Sequence, residues 1–215
     1  IDLNQSPDAN DDNNSQLAIQ GQMTTNEDNS FNIADSTLLL NDTDPDGLPP
    51  DIIKIISISN MNPSDGKLST TTDLNGNINK INFDPNGQYE YLAQDETTEV
   101  SFQYTIEDRE GLTSTATATI TVVGVNDAPI IDDSESDNIG GVIEDTTSPI
   151  LFDQGVIEFD DVDLTDSHSV SVQFVSTTHN SKLGDLNASI TTQATGSNIG
   201  QITWDFEVDN SLVQF

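Results

Sequence analysis

Glu99-Val100-Ser101-Phe102-Gln103-Tyr104-Thr105-Ile106-Glu107, followed after a short turn by Leu112-Thr113-Ser114-Thr115-Ala116-Thr117-Ala118-Thr119-Ile120-Thr121-Val122, decides the fold. Apolar residues alternate with Thr, Ser, Gln and Glu through both runs. Only a strand places every second side chain on one face, so one face is buried and the other wet. The intervening Glu107-Asp108-Arg109-Glu110-Gly111 carries turn residues, and the two runs read as an antiparallel pair. The same alternation recurs at Val170, Val172 and Phe174 and at Ile202, Trp204, Phe206 and Val208. Asp65-Gly66, Asn75-Gly76 and Asn86-Gly87 mark turns between runs. No stretch repeats apolar residues at helical spacing for three turns, so the chain reads as all-β.

Two copies of one plan follow each other. Asn4 and Pro7 recur as Asn126 and Pro129, each 122 residues later. Asn26-Glu27-Asp28 is echoed by Ile143-Glu144-Asp145. The acidic loop Asn41-Asp42-Thr43-Asp44-Pro45-Asp46-Gly47 is echoed by Asp160-Asp161-Val162-Asp163-Leu164-Thr165-Asp166. Ordered matches at nearly one offset imply tandem modules of roughly 120 residues. The expectation is two Ig/cadherin-like Greek-key β-sandwiches in a row. The second is incomplete: setting Phe206 through Phe215 on Phe83 through Tyr91 leaves no counterpart to the paired strands around 99–107 and 112–123. Such a half-sandwich exposes an apolar face and an unpaired edge; either the native chain continues beyond Phe215, which is the expected remedy, or neighbours hold this half.

Composition narrows the chemistry. Among 215 residues, 38 Asp and Glu face 5 Lys and Arg, a formal net charge of −33, and there is no Cys. Nucleic acid and anionic membrane surfaces require clustered cations that this chain lacks. No apolar run reaches the ~20 residues that span a bilayer, so membrane insertion is not expected. Without Cys there is no disulfide frame and no thiol nucleophile. An apolar content of 33% with so much uncompensated charge reads as disorder unless a cation neutralises it. No nucleophile elbow, phosphate-cradling glycine loop or His-Glu-x-x-His is present, and both His168 and His179 read as structural or exposed, so no enzymatic activity is expected.

The acids themselves are patterned. In Asp42-x-Asp44-x-Asp46-Gly47, alternate carboxylates before a glycine let a tight turn aim several oxygens at one point, which suits Ca²⁺. The loop is not an EF-hand, because its twelfth position is Ile53 and Pro49 and Pro50 block a following helix. A plain solvated turn is the competing reading.

The runs Asn26-Glu27-Asp28, Leu38 through Gly47, Tyr104 through Asp108, and Ile120 through Pro129 with its Val-Asn-Asp-Ala-Pro close resemble the cadherin-like tandem repeats of giant bacterial surface proteins. Gly141 through Asp145, Asp161 through His168 and Trp204 through Ser211 are similar to the VCBS repeat of the same proteins. The resemblance implies residues 1–12 as a linker from a preceding repeat, 13–125 as a cadherin-like repeat, 126–133 as a calcium-binding linker, and 134–215 as a VCBS-like repeat truncated at its C-terminal end. It further implies a repeats-in-toxin adhesin, secreted to the bacterial cell surface and folded there in calcium. The implied ligands are Glu27, Asp108 with Glu110, Asn126 with Asp127, and Asp161 with Asp163, while Asp42, Asp44 and Asp46 face a preceding module with Asn4. Gln5-Ser6 replaces the Asp-Ala of the other linker and weakens that site. The expected role is a calcium-rigidified extender in adhesion or biofilm, whose partners are neighbouring repeats of the same chain. The alternative is a module that binds a cell-surface glycan or protein.

Overall fold

In the computed structural model, which describes residues 4–15, 23–45, 52–59, 61–177 and 182–214, the two deciding runs are the longest paired strands of the first half. β6 (Thr97–Glu107) and β7 (Thr113–Val123) run antiparallel from the pair Thr97 and Val123 to the pair Glu107 and Thr113. Val100, Phe102, Tyr104, Ile106, Ala116, Ala118, Ile120 and Val122 all point inward and are buried. On the outer face Ser101 bonds Thr119 at 3.0 Å and Thr105 bonds Thr115 at 3.1 Å. Leu112, grouped with β7 by its apolar character, instead lies in the turn and is exposed.

The chain divides into two compact units, Ile1–Val125 and Asn126–Phe215. Unit 1 has two sheets. β1 (Thr24–Asn26), β7, β6 and β3 (Lys54–Ser59) form one, with β1 parallel to β7. β2 (Phe31–Ala34), β5 (Ile78–Asp84) and β4 (Lys67–Thr72) form the other, with β5 in the middle. A single helical turn, α1 (Asp35–Leu38), follows β2. The inward side chains of both sheets, among them Ile33, Ile55, Ile81, Phe83 and Phe102, join in one core cluster. Each such side chain contributes about 1.5–3 kcal/mol by leaving water. Asn75-Gly76 closes the β4–β5 hairpin as its sequence requires: Gly76 takes φ +84°, and the Asp73 carboxylate accepts from the Asn75 and Asn77 N–H groups.

Residues 4–15 are not a detached linker. Asp8 pairs with Thr43 and Asp12 with Ala118, so this stretch is woven into unit 1. Its backbone needs hydrogen-bond partners, and the free edge of β7 supplies them: Asp12 donates to the Thr117 carbonyl and Thr119 donates to the Asp12 carbonyl.

Unit 2 contains one antiparallel sheet: β10 (Gly184–Thr192), β11 (Gly200–Asp209), β9 (Ile150–Asp160) and β8 (Ile130–Asp132) in that order. Residues 130–132 of the expected linker are thus a strand of this unit. Val170, Val172 and Phe174 belong to no strand despite their alternation. Alternation fixes which face a side chain seeks, but a strand also needs a neighbour to bond, and this segment has none among the described residues. The order β9-β11-β10 repeats the order β2-β5-β4 of unit 1, with the middle strand antiparallel to both neighbours.

Candidate functional site

The antiparallel register of β6 and β7 sorts the acidic residues of unit 1 into two ends. β1 finishes beside Val123, so Glu27 lies at the end where the chain leaves β7. There Glu27 is 2% exposed and its Oε1 accepts from the Val125 N–H at 2.7 Å. Asp108 lies at the other end, after Glu107, and its Oδ2 accepts from Asn4 Nδ2 at 3.1 Å. Ten residue steps of strand, about 33 Å, separate the two ends. The grouping of Asp108 and Glu110 with Glu27 is therefore corrected: Asp108 belongs with Asn4 and the Asp42 loop. Glu110 is exposed.

Asp108 is buried, which favours its neutral form, but N–H donors outweigh that and hold its carboxyl below the usual range. They include the Leu112 N–H at 2.7 Å and Asn4. At the same end the Tyr104 hydroxyl is a hub. It faces Asp12 Oδ2 at 2.7 Å, Asp42 Oδ2 at 3.1 Å, and the Asn10 and Leu38 carbonyls at 3.1 and 3.3 Å. One hydroxyl hydrogen cannot serve both carboxylates. Burial pushes Asp12 up to about 7, and the nearby Asp42 charge adds to it. Asp42 is also raised by burial, although the Asn10 N–H at 2.7 Å and Tyr104 oppose the shift. Asp44 is half-buried, and Asp46 lies outside the described residues.

In unit 2 the loop after β9 gathers a second group. Asp163 is 0% exposed and accepts from the Asp127 N–H at 2.9 Å through Oδ2. Burial raises its carboxyl, with further contributions from the charges of Asp166, Asp161 and Asp127. Asp161, also buried, accepts from the Asp163 N–H at 2.9 Å and meets His168 Nε2 at 2.8 Å. The other ring nitrogen of His168 lies 2.9 Å from Gln193 Oε1, and the ring packs edge-on against Phe159. Burial disfavours the imidazolium, but Asp161 and Gln193 more than compensate and hold His168 above its ordinary value. Asn126 is exposed, and its side-chain amide bonds the Asp127 carbonyl.

Sequence reasoning missed Asp12, the Tyr104 hydroxyl and His168 as members of these groups. Asp12 carried a signal, being one of two adjacent acids before the first strand. Tyr104 read only as a core side chain, and His168, although beside the acidic loop, read as structural or exposed rather than as a partner of Asp161.

Whether the groups suit a hard cation is decided by their oxygens. Asp163 Oδ1, Asp12 Oδ1 and Asn41 Oδ1 are buried and meet no hydrogen-bond donor. Carboxylate and amide oxygens are what Ca²⁺ takes, and a buried acceptor without a donor is costly until something positive reaches it. Among the described residues no three Asp, Glu or His side chains form a metal-binding group on their own, so main-chain carbonyl and water oxygens would have to complete any shell.

A two-sheet sandwich, antiparallel except where β1 runs beside β7, with acids at its ends defines unit 1 as an immunoglobulin-like module. The family model described as Bacterial Ig domain matches residues 4–121, more than half of the chain, and the chain belongs to that family. No curated protein matches it.

Proposed function

We propose that this chain is a spacer segment of a large bacterial surface adhesin of the repeats-in-toxin type, built from a cadherin-like and a VCBS-like module that Ca²⁺ stabilises. A repeat of bacterial Ig-like type fits a surface protein. The observation that carries the calcium reading is Asp163: fully buried, its carboxyl raised by that burial and then by the charges of Asp166, Asp161 and Asp127, and holding one oxygen without a donor. Asp161 and Asp163 would supply carboxylate oxygens to the ion in unit 2, and Asp12 and Asp42 to the ion at the Asn4 end of unit 1, with main-chain and water oxygens completing each shell. Bound there, Ca²⁺ supplies positive charge where carboxylates repel one another. The role is mechanical rather than catalytic, and the setting is the cell surface.

At an extracellular-grade dissociation constant of ~10⁻⁴ M, ~10 mM calcium stabilises the folded state by about 2.7 kcal/mol per site. Such a gain is a large share of the ~5–15 kcal/mol of an ordinary domain. Calorimetric titration of the chain with CaCl₂ tests the reading. Saturable binding that weakens in Asp163→Asn supports it, and heats no larger than buffer dilution defeat it.

A further inference from the structure

Three of the four sheet edges in unit 1 are poor templates for another strand. β1 has three residues and β2 four, too few to pair far. β3 is longer, but Ile56 bulges out of its ladder with β6, between the pairs Ile55–Ile106 and Ser57–Thr105. β4 is different. It runs six residues, Lys67-Leu68-Ser69-Thr70-Thr71-Thr72, without proline, and its ladder partner is β5 alone. Where the β4–β5 ladder slips, the extra residue is Asn79 on β5, so β4 itself stays regular. Ser69 through Thr72 are exposed. Alternate backbone N–H and C=O groups of β4 point away from β5, and among the described residues no other strand meets them.

Charge singles out the occupant. From the start of β3 to the end of β5, Lys54, Lys67 and Lys80 balance Asp65, Asp73 and Asp84. Residues 54–84 are therefore neutral, and the rest of the chain carries the whole −33. A second copy can approach along this stretch without the repulsion it meets elsewhere. The edge is also complementary to itself. A twofold axis at Thr70 sets Thr70 opposite the partner's Thr70, Ser69 opposite the partner's Thr71, Leu68 opposite the partner's Thr72 and Lys67 opposite the partner's Asp73. A slip of two residues loses both Lys–Asp pairs, and a slip of one sets outer side chains against inner ones. We infer that the β4 edge is a self-association surface, on which two copies of this chain join β4 to β4, antiparallel, and fuse their three-stranded sheets into one. Thr pairs and the two Lys–Asp pairs add to the ladder bonds. The contact is small, so the association is weak and reversible. The axis points the two copies of unit 1 in opposite directions. On the surface reading above, and only there, such a pair suits chains that reach towards each other rather than chains rooted side by side.

The chain has no Cys, so a single introduced thiol reports the register. Opposite Cα atoms of an antiparallel pair lie ~4.5–5.5 Å apart, within the span of a disulfide. Thr70→Cys meets its own copy on the axis. Leu74→Cys, in the turn beyond β4, lies away from the axis although it is fully exposed. Treated with diamide, the full chain is expected to form disulfide dimers at least about tenfold faster in Thr70→Cys than in Leu74→Cys. Chance collision favours the more exposed thiol, so Leu74→Cys reacting as fast or faster overturns the proposal. Adding Lys67→Glu sets an acid against the partner's Asp73 and is expected to slow the Thr70→Cys dimer at least about threefold, while Lys67→Arg keeps it. Equal rates with Lys, Glu and Arg at that position overturn the register. Because Thr70→Cys alters the edge it reports, amide exchange on the unaltered chain is a second arm. Residues 67–72 are expected to exchange more slowly as the chain is concentrated, with residues 54–59 of β3 unchanged. Exchange at residues 67–72 that ignores concentration overturns the pairing. All comparisons share one buffer, so the outcome stands apart from the calcium titration.

Discussion

Tyr104 has one hydrogen to donate and two carboxylates beside it, so its replacement has a definite consequence. In Tyr104→Phe the pair Asp12 and Asp42 loses its one shared donor while staying buried, and unit 1 is expected to lose about 1–3 kcal/mol, read by denaturant unfolding. The same pocket sets a pH dependence. Asp12 is raised from 3.8 to about 7, so between those values the folded state holds a proton that the unfolded state has released. Stability in chelator therefore falls as pH rises from about 4 to about 7 and levels off above, and Asp12→Asn flattens the slope. Asp108, whose carboxyl is lowered, acts in a different window, losing its contribution only as pH drops below the ordinary carboxylate range. A profile of melting temperature against pH that is flat in the parent chain contradicts the assignment. At Asp163 two effects separate by sign. Asp163→Asn removes a buried charge, so it is expected to raise the melting temperature in chelator and to shrink the gain that CaCl₂ gives the parent. The Asp-x-Asp pattern made Asp161 and Asp163 legible in the sequence, because alternate acids are a local signal. Asp12 was not legible, since a contact across the fold joins it to Tyr104, whereas His168 stands in the same loop as Asp161 and its residue type alone does not say that the ring folds back onto that carboxylate.

Elements were legible wherever side-chain alternation and a backbone partner came together. β6, β7 and β11 read correctly because each has both. Residues 170–175 had the alternation alone, and no count of apolar positions reveals a missing ladder. The end at which Asp108 lies was hidden for a related reason. Its turn is local, but its distance from Glu27 depends on the parallel pairing of β1 with β7, a long-range register. Trp204 offers a test at this scale. It lies opposite Gly155 across the β9–β11 ladder, and a Cβ on Gly155 would come within 2.6 Å of the indole ring. Gly155→Ala is expected to push the ring off the strand and break the Nε1–H bond to the Asp137 carbonyl. A red-shifted emission and a loss of about 1–3 kcal/mol in unit 2 are the readouts. Unchanged emission shows that the strand yields instead.

The two units divide the apolar burial unevenly. The core cluster lies wholly in unit 1, whereas the buried apolar side chains of unit 2 among the described residues are Leu151, Phe159, Ala194, Trp204 and Val208. Thermal unfolding is accordingly expected in two steps, with unit 2 first, and the Trp204 signal should follow the lower one. On the proposed reading, chelation lowers both steps; a single transition unaffected by chelator would refute the uneven stability and the calcium dependence together.

The pairing of β1 with β7 bears on load. Tension drawn through a chain pulls its early and late segments apart along their own direction. Residues 12 and 24–26 run alongside β7 in the same sense, so that pull slides one strand lengthwise past the other. Every bond of the seam then resists together instead of opening one after another. A single-molecule pulling trace on unit 1 should show one high rupture peak, and a proline at Thr25, which deletes a donor from the seam, should lower it.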